Sequence, residues 1–236
     1  MTWILPPPPQ PFLYVAGQPG LFAVRRIWCV GRNYAAHARE MGADPDREPP
    51  FFFAKPGDAI VPATPDGTVT VPYPPKTLNL HHEVELVVAI GKAGSNIAPA
   101  DALSHVFGYA VGLDLTRRDL QAAAKKAAHP WEMAKGFDAS APCSALLPAD
   151  QWPDTQARIE LDVNSQRRQE GAIDDLIWPV ADVIAHLSQF VALAAGDVIF
   201  TGTPEGVAAL VPGDVAVASV TGLPELTVRF TAAEAE

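Results

Sequence analysis

The segment that most constrains the fold is 79–91, NLHHEVELVVAIG. Valines, leucine and isoleucine running into a glycine have the composition of a buried strand, yet Glu83 and Glu85 stand near its start. In a strand, residues two apart point the same way, so the two glutamates share one face. Burying one ionised carboxylate costs several kcal/mol, and a second on the same face adds repulsion that grows as the dielectric falls. Spacing alone leaves two readings open. Glu83 and Glu85 occupy the solvated face of an edge strand, with His82, Val84, Leu86 and Val88 toward the core, or a cation compensates them.

The next apolar strand, GYAVGLDLT, ends at Asp114, a third carboxylate at a strand terminus. Oxygen ligands without cysteine, with His81 and His82 only flanking, suit a hard ion such as Mg²⁺, Mn²⁺ or Ca²⁺ better than zinc. His37 and Glu40 stand three apart in NYAAHAREMG, where a helix would make them neighbours and the carboxylate could orient the imidazole. Lys55 in FFFAKPGD and Lys135 in WEMAKGFDAS both sit among apolar and glycine residues, where a lone lysine is ordinarily a snorkelling surface side chain.

The remaining chain reads as strand-rich. Residues 1–22 hold a run of prolines, which fixes φ and removes amide donors, so an extended N-terminal arm is expected there, lying on the domain or on a partner subunit. Residues 23–231 form the expected folded domain and 232–236 a tail. VRRIWCVG and PFFFAKPGD read as strands, and NYAAHAREMG as a short helix ended by Gly42, with Tyr34, His37, Ala38 and Met41 on one face. TRRDLQAAAKKAAH reads as a helix with Thr116 and Asp119 spaced as a capping box. RIELDVNSQRRQEG with AIDDLIW suggests a hairpin region, and PVADVIAHLSQFVAL a helix with Val180, Val183, Ile184, Leu187 and Val191 on one stripe. The tail repeats a turn feeding an apolar strand, in AAGDVIFTG and VPGDVAVASVTG. Strands outnumber helices without alternating with them, so a single α+β domain with a large mixed sheet is expected and a doubly wound dinucleotide fold is not.

A net charge of −10 disfavours nucleic acid and anionic membranes as partners. Cys29 and Cys143 stand alone, with no C-x-x-C and no signal-peptide pattern, and read as small buried residues in a cytoplasmic protein. His105, His129 and His186 read as structural or solvent-facing.

In order, CVGRNYAAHARE, FFFAKP, NLHHEVELVVAIGK, GYAVGLDLTRRDLQ, WEMAKGFDASAP, RQEG and IFTGTPEGV resemble the fumarylacetoacetate hydrolase family, and more closely its acylpyruvate and fumarylpyruvate hydrolase branch. The resemblance runs from about Val24 to about Phe230. It implies a mixed β-sheet roll with few helices, assembled as a homodimer. It also implies that Glu83, Glu85 and Asp114 bind Mg²⁺ or Mn²⁺, that His37 and Glu40 activate water, and that Lys135 stands beside the metal. Arg118, Gln121 and Thr203 match substrate-contacting positions, and Arg32, Lys55 and Arg117 are candidates for a distal carboxylate of a small anionic 2-oxo acid. The implied activity is hydrolysis of an acylpyruvate, with fumarylpyruvate nominated, as in gentisate-type aromatic breakdown. An oxaloacetate decarboxylase, or a 2-oxo-acid isomerase or decarboxylase, could use the same scaffold; a non-catalytic metal-binding protein is the remaining alternative. Ser165 in VNSQRRQEG departs from the pattern, which has glycine after the asparagine.

Overall fold

The computed structural model describes residues 3–40, 49–152 and 156–233, and leaves the side chains of His37, Ala38 and Glu40 outside the description. Strand Val84–Ile90 is buried at every position. Its place explains why: it lies inside an eight-stranded sheet, between Asp197–Phe200 and Val106–Leu113. The solvated-edge reading of Glu83 and Glu85 is therefore overturned. Outward from these central strands come Arg26–Gly31 and Phe51–Lys55 on one side, and Ala141–Cys143 and Ile60–Pro62 on the other, with Leu147–Pro148 also paired to Val106–Leu113. The sheet is mixed, since Asp197–Phe200 runs parallel to Arg26–Gly31 and antiparallel to Val84–Ile90.

Alternation along Val84–Ile90 now feeds two cores instead of one core and solvent. Val84, Leu86, Val88 and Ile90 pack into the larger core. That core is shared with a five-stranded sheet of Gln166–Ala172, Arg158–Val163, Val215–Val220, Leu226–Thr231 and Thr68–Pro72. Val87 and Ala89 enter a smaller core with Cys29, Cys143 and Phe200. Glu85 belongs by alternation to this second face, and Glu83 just precedes the strand.

Across the boundary expected at residue 22, Phe12–Tyr14 pairs antiparallel with Leu21–Ala23, and Leu13 is fully buried. Neither strand contains a proline, Pro11 preceding the first and Pro19 lying in the connecting segment, so the strand amides remain free to pair. The turn between Arg158–Val163 and Gln166–Ala172 has Asn164 at φ 52° and Ser165 at φ 63°. These are the positive values of a two-residue hairpin turn, adopted here without glycine. The segment after it is a 3₁₀ turn, Ile173–Asp175, and not a further strand of the hairpin.

The expected helices form at Ala35–Glu40, Arg118–Ala127 and Val180–Phe190, with Val183, Ile184 and Leu187 buried on the last. Met41 and Gly42, expected to complete the first, lie outside the described residues. The capping box at Thr116 is not formed. Thr116 and Arg117 pair as a short strand with Leu80–His81, and the helix starts at Arg118 without a side-chain cap. Asp119 instead accepts hydrogen bonds from the Thr77 hydroxyl at 2.6 Å and the Leu78 amide at 3.2 Å. Tertiary pairing has outcompeted the local cap, which is worth only about 1 kcal/mol. No helix among the described residues is long and apolar enough to cross a membrane.

Candidate active site

Glu83 and Asp114 each flank one of two paired central strands, and the Asp114 amide donates to the Glu83 carbonyl at 2.9 Å. The pairing of Val84 with Leu113 and of Glu85 with Gly112 fixes this register. It brings ligand oxygens of Glu83, Glu85 and Asp114 within 4.8 Å of one another, all three residues buried. Gly112 matters for the fit of this register, because a Cβ there would lie 2.6 Å from the Phe200 ring.

Cations meet part of this charge. Lys135, on the single turn Glu132–Lys135, donates to Glu83 Oε2 at 2.7 Å and to Asp114 Oδ2 at 2.6 Å. Burial works against its ammonium, but Asp114 and Glu83 outweigh burial and raise its pKa above that of an ordinary lysine. Arg118 reaches the other oxygen of Glu83 and the Gln121 side-chain carbonyl. Lys55 approaches Asp114 Oδ1 at 2.9 Å and donates to the Leu115 and Lys135 carbonyls.

Glu85 is left least compensated. Its Oε2 accepts the Gly202 amide at 2.7 Å, while burial first, then Asp114 and Glu83, raise its pKa well above the carboxylate range. Gly202 can make that approach because it sits at φ 104°, where a Cβ would lie 2.6 Å from Asn33. Asn33, fully buried, ties three segments together through Thr201 O, Trp178 O and the Trp178 amide. Asp114 Oδ1 accepts no aligned hydrogen bond in its buried position, the Lys55 contact being an ion pair off the hydrogen-bond axis. A buried oxygen met by an ion pair but by no hydrogen bond, beside an undercompensated carboxylate in an all-oxygen donor set, fits a hard divalent cation.

The cluster opens into a cavity lined also by Val30, Gly31, Arg32, Phe51, Phe53, Arg118, Gln121, Lys125, Trp131 and Thr203. Arg32, Arg118, Gln121 and Thr203, four of the substrate-contact candidates, are thus brought to one cavity. Lys55 does not line it: its side chain is wholly buried and supports Asp114 from behind. Arg117 also lies off the lining, with its guanidinium 4.4 Å from the centre of the Phe137 ring. His37 and Glu40 fall on the helix Ala35–Glu40, and their side chains lie outside the description.

Gln169 was missed by sequence reasoning. Its amide nitrogen donates to Thr203 Oγ1 and Pro204 O, each at 2.8 Å, and its oxygen accepts the Val84 amide at 3.1 Å and meets His82 Nδ1 at 2.9 Å. It therefore locks Thr203 to the start of the carboxylate strand. Its only sequence signal was the RQEG stretch, where polar neighbours conceal a buried position. His81 contributes no charge near neutrality: burial first, then Arg118, lower its pKa to about 4. Cys29, in the smaller core, has its thiol pKa pushed up by burial and then by Asp114. It stays a protonated packing residue.

The mixed-sheet frame and its buried acidic cluster together define an α+β protein with a candidate divalent-cation site that opens into a cavity lined by cations. Residues 26–231 match the family model described as fumarylacetoacetate (FAA) hydrolase C-terminal, and the chain belongs to the fumarylacetoacetate hydrolase family. It is 41% identical over 196 residues to a fumarylpyruvate hydrolase of Ralstonia sp, covering 82% of this chain and 100% of that protein. It is equally, 41%, identical over 213 residues to a mitochondrial oxaloacetate tautomerase of Mus musculus, covering 90% and 93%. A crystal structure of fumarylpyruvate hydrolase from Pseudomonas aeruginosa in complex with Mn²⁺ and pyruvate superposes with a TM-score of 0.96 at 50% identity, covering 98% of this chain and 100% of that one.

Proposed function

We propose that the protein is a divalent-metal-dependent hydrolase that cleaves the carbon–carbon bond of an acylpyruvate, with 3-fumarylpyruvate as substrate and fumarate and pyruvate as products. The observation that carries this reading is the buried Glu83, Glu85 and Asp114 cluster opening into a cavity that also holds Arg32, Arg118 and Lys125. The likeness to the Pseudomonas hydrolase crystallised with Mn²⁺ and pyruvate supports it. A divalent cation, Mg²⁺ or Mn²⁺, held by the three carboxylates would polarise the 2-oxo group and stabilise enolate charge.

Arg118, Gln121 and Thr203 bind and orient the 2-oxo acid end, which makes attack effectively unimolecular. His37 takes a proton from water as it adds to the distal carbonyl, and Glu40 holds the imidazole in its accepting tautomer. The bond between that carbonyl carbon and the adjacent methylene then breaks, its electron pair passing into the pyruvate enolate. Lys135, kept cationic by Asp114 and Glu83, lies beside the developing charge. His37 returns its proton to the methylene carbon. We take the protein to act as a homodimer in the cytoplasm, the first of which light scattering tests.

Oxaloacetate tautomerisation or decarboxylation is the second reading, favoured by the equal identity to the mouse tautomerase. Those reactions need no hydrolytic water. Mn²⁺-loaded protein offered fumarylpyruvate, acetylpyruvate and oxaloacetate should give the highest kcat/KM with fumarylpyruvate. His37→Ala should keep Mn²⁺ binding and lose cleavage by about 10²- to 10⁴-fold. A preference for oxaloacetate, or full activity in His37→Ala, overturns the hydrolase assignment.

A further inference from the structure

Beyond the carboxylates the cavity follows an aromatic wall. Phe51 and Phe53 lie two apart on the edge strand Phe51–Lys55, so both rings face the same side and both line the cavity. Trp131 stands between them in effect, its ring 5.7 Å from Phe51 and 6.0 Å from Phe53, centre to centre. Lys135 Nζ lies 5.0 Å from the Phe53 ring centre, at the carboxylate cluster. Lys125 Nζ lies 5.2 Å from the Trp131 ring centre, and the Arg32 guanidinium 5.4 Å from that of Phe51. The rings thus link Lys135 to two further cations.

Helix periodicity explains how Lys125 comes to be there. Arg118, Gln121 and Lys125 are spaced i, i+3 and i+7 on the helix Arg118–Ala127, and all three line the cavity. At 1.5 Å per residue, Lys125 stands about 6 Å along the axis beyond Gln121 and about 10 Å beyond Arg118. Among the described residues no carboxylate pairs with it. Burial first, then Arg32 and Arg118, lower its pKa, with Glu83 opposing them more weakly. Arg32 holds φ 59°, a left-handed backbone that a bulky side chain adopts at a cost of about 1–3 kcal/mol. Among the described residues that line the cavity, Arg32, Arg118, Lys125 and Lys135 are cationic and Glu83, Glu85 and Asp114 are carboxylic.

We infer that Lys125 and Arg32, above the Phe51, Phe53 and Trp131 rings, form a site for the remote carboxylate of a long 2-oxo dicarboxylate whose planar unsaturated chain lies along the aromatic wall. Chain length is the selective element. The carboxyl carbons of a four-carbon 2-oxo diacid are three bonds apart, about 4 Å, whereas those of a seven-carbon diacid are six bonds apart, about 7–8 Å. Only the longer span exceeds the axial rise of about 6 Å between Gln121 and Lys125. This deepens the function proposed above, on which it rests for the seating of the 2-oxo acid end.

Binding separates the two claims. Calorimetric titration of Mn²⁺-loaded protein with 2-oxoheptanedioate and with 2-oxoheptanoate compares seven-carbon 2-oxo acids that differ in the remote carboxylate, and neither carries the second carbonyl that hydrolysis attacks. The diacid should bind at least about tenfold more tightly, as expected for a charge-assisted contact in a partly dry site. Lys125→Met should bring that ratio to within about threefold of unity, and Lys125→Arg should retain it. A ratio near one in the unaltered protein, or one that Lys125→Met leaves intact, overturns the site. An intact, Lys125-dependent ratio in a protein that fails to cleave acylpyruvates supports the site and overturns the hydrolase reading alone.

Discussion

Replacing Glu85 by glutamine should make the protein more stable without a divalent cation and less stable with one. Glu85 is 2% exposed, within 4.8 Å of Glu83 and Asp114 through their ligand oxygens, and takes one hydrogen bond, from Gly202. Burial, then Asp114 and Glu83, raise its folded pKa well above the ordinary 4.5. A carboxyl raised in this way holds its proton more tightly folded than unfolded. Stability therefore falls as pH rises from near 4.5 through the folded pKa, by up to about 1.4 kcal/mol per pH unit, and the loss is complete above it. Glutamine carries no such proton, and its carbonyl can still accept the Gly202 amide. In chelator at neutral pH the Glu85→Gln protein should gain about 2 kcal/mol, or about 4–8 °C in Tm for a chain of this size. With Mn²⁺ at a thousandfold excess over Kd, the unaltered protein gains about 4 kcal/mol. A variant binding a hundredfold more weakly gains about 1.4 kcal/mol, which reverses the order. Urea denaturation from pH 5 to 8, in chelator and in Mn²⁺, measures both arms. A variant less stable in chelator, or one with an undiminished Mn²⁺ increment, would refute the reasoning.

Two further substitutions probe the supports of the site. Lys135→Met removes the ammonium bonded to both Glu83 and Asp114 and should cost about 3–5 kcal/mol in chelator, because it strands buried charge; urea denaturation checks this, and a loss under about 1 kcal/mol counts against the ion network. Gln169→Leu breaks its bonds to Thr203, Pro204 and Val84 in a position 1% exposed, and should destabilise by about 3–5 kcal/mol. If Gln169 positions Thr203, a metal-loaded Gln169→Glu protein should also show a higher KM for acylpyruvate; an unchanged KM would limit Gln169 to a structural role.

Strand-rich patterning, the α+β class and the three candidate carboxylates were legible because each rests on local spacing. Glu83 and Glu85 two apart, the apolar run ending at Asp114, and the helical stripe through Val183, Ile184 and Leu187 all report short-range geometry. Other features depended on which segments became neighbours. The Thr116 capping box had correct spacing and lost to pairing with Leu80–His81. Lys55 resembled a cavity cation, yet its strand carries it behind Asp114, while Lys125, one turn past Gln121, entered the cavity unannounced.

By itself, the sequence determined that two carboxylates on an apolar strand must share a face, and that a third closes the next strand. It could not decide between solvent and a cation, because alternation is identical at a sheet's edge and at its centre. Only the tertiary structure decided that, by setting Val84–Ile90 between two paired strands and covering both faces. There the dielectric is low, solvent no longer screens the charges, and three carboxylates persist only beside cations.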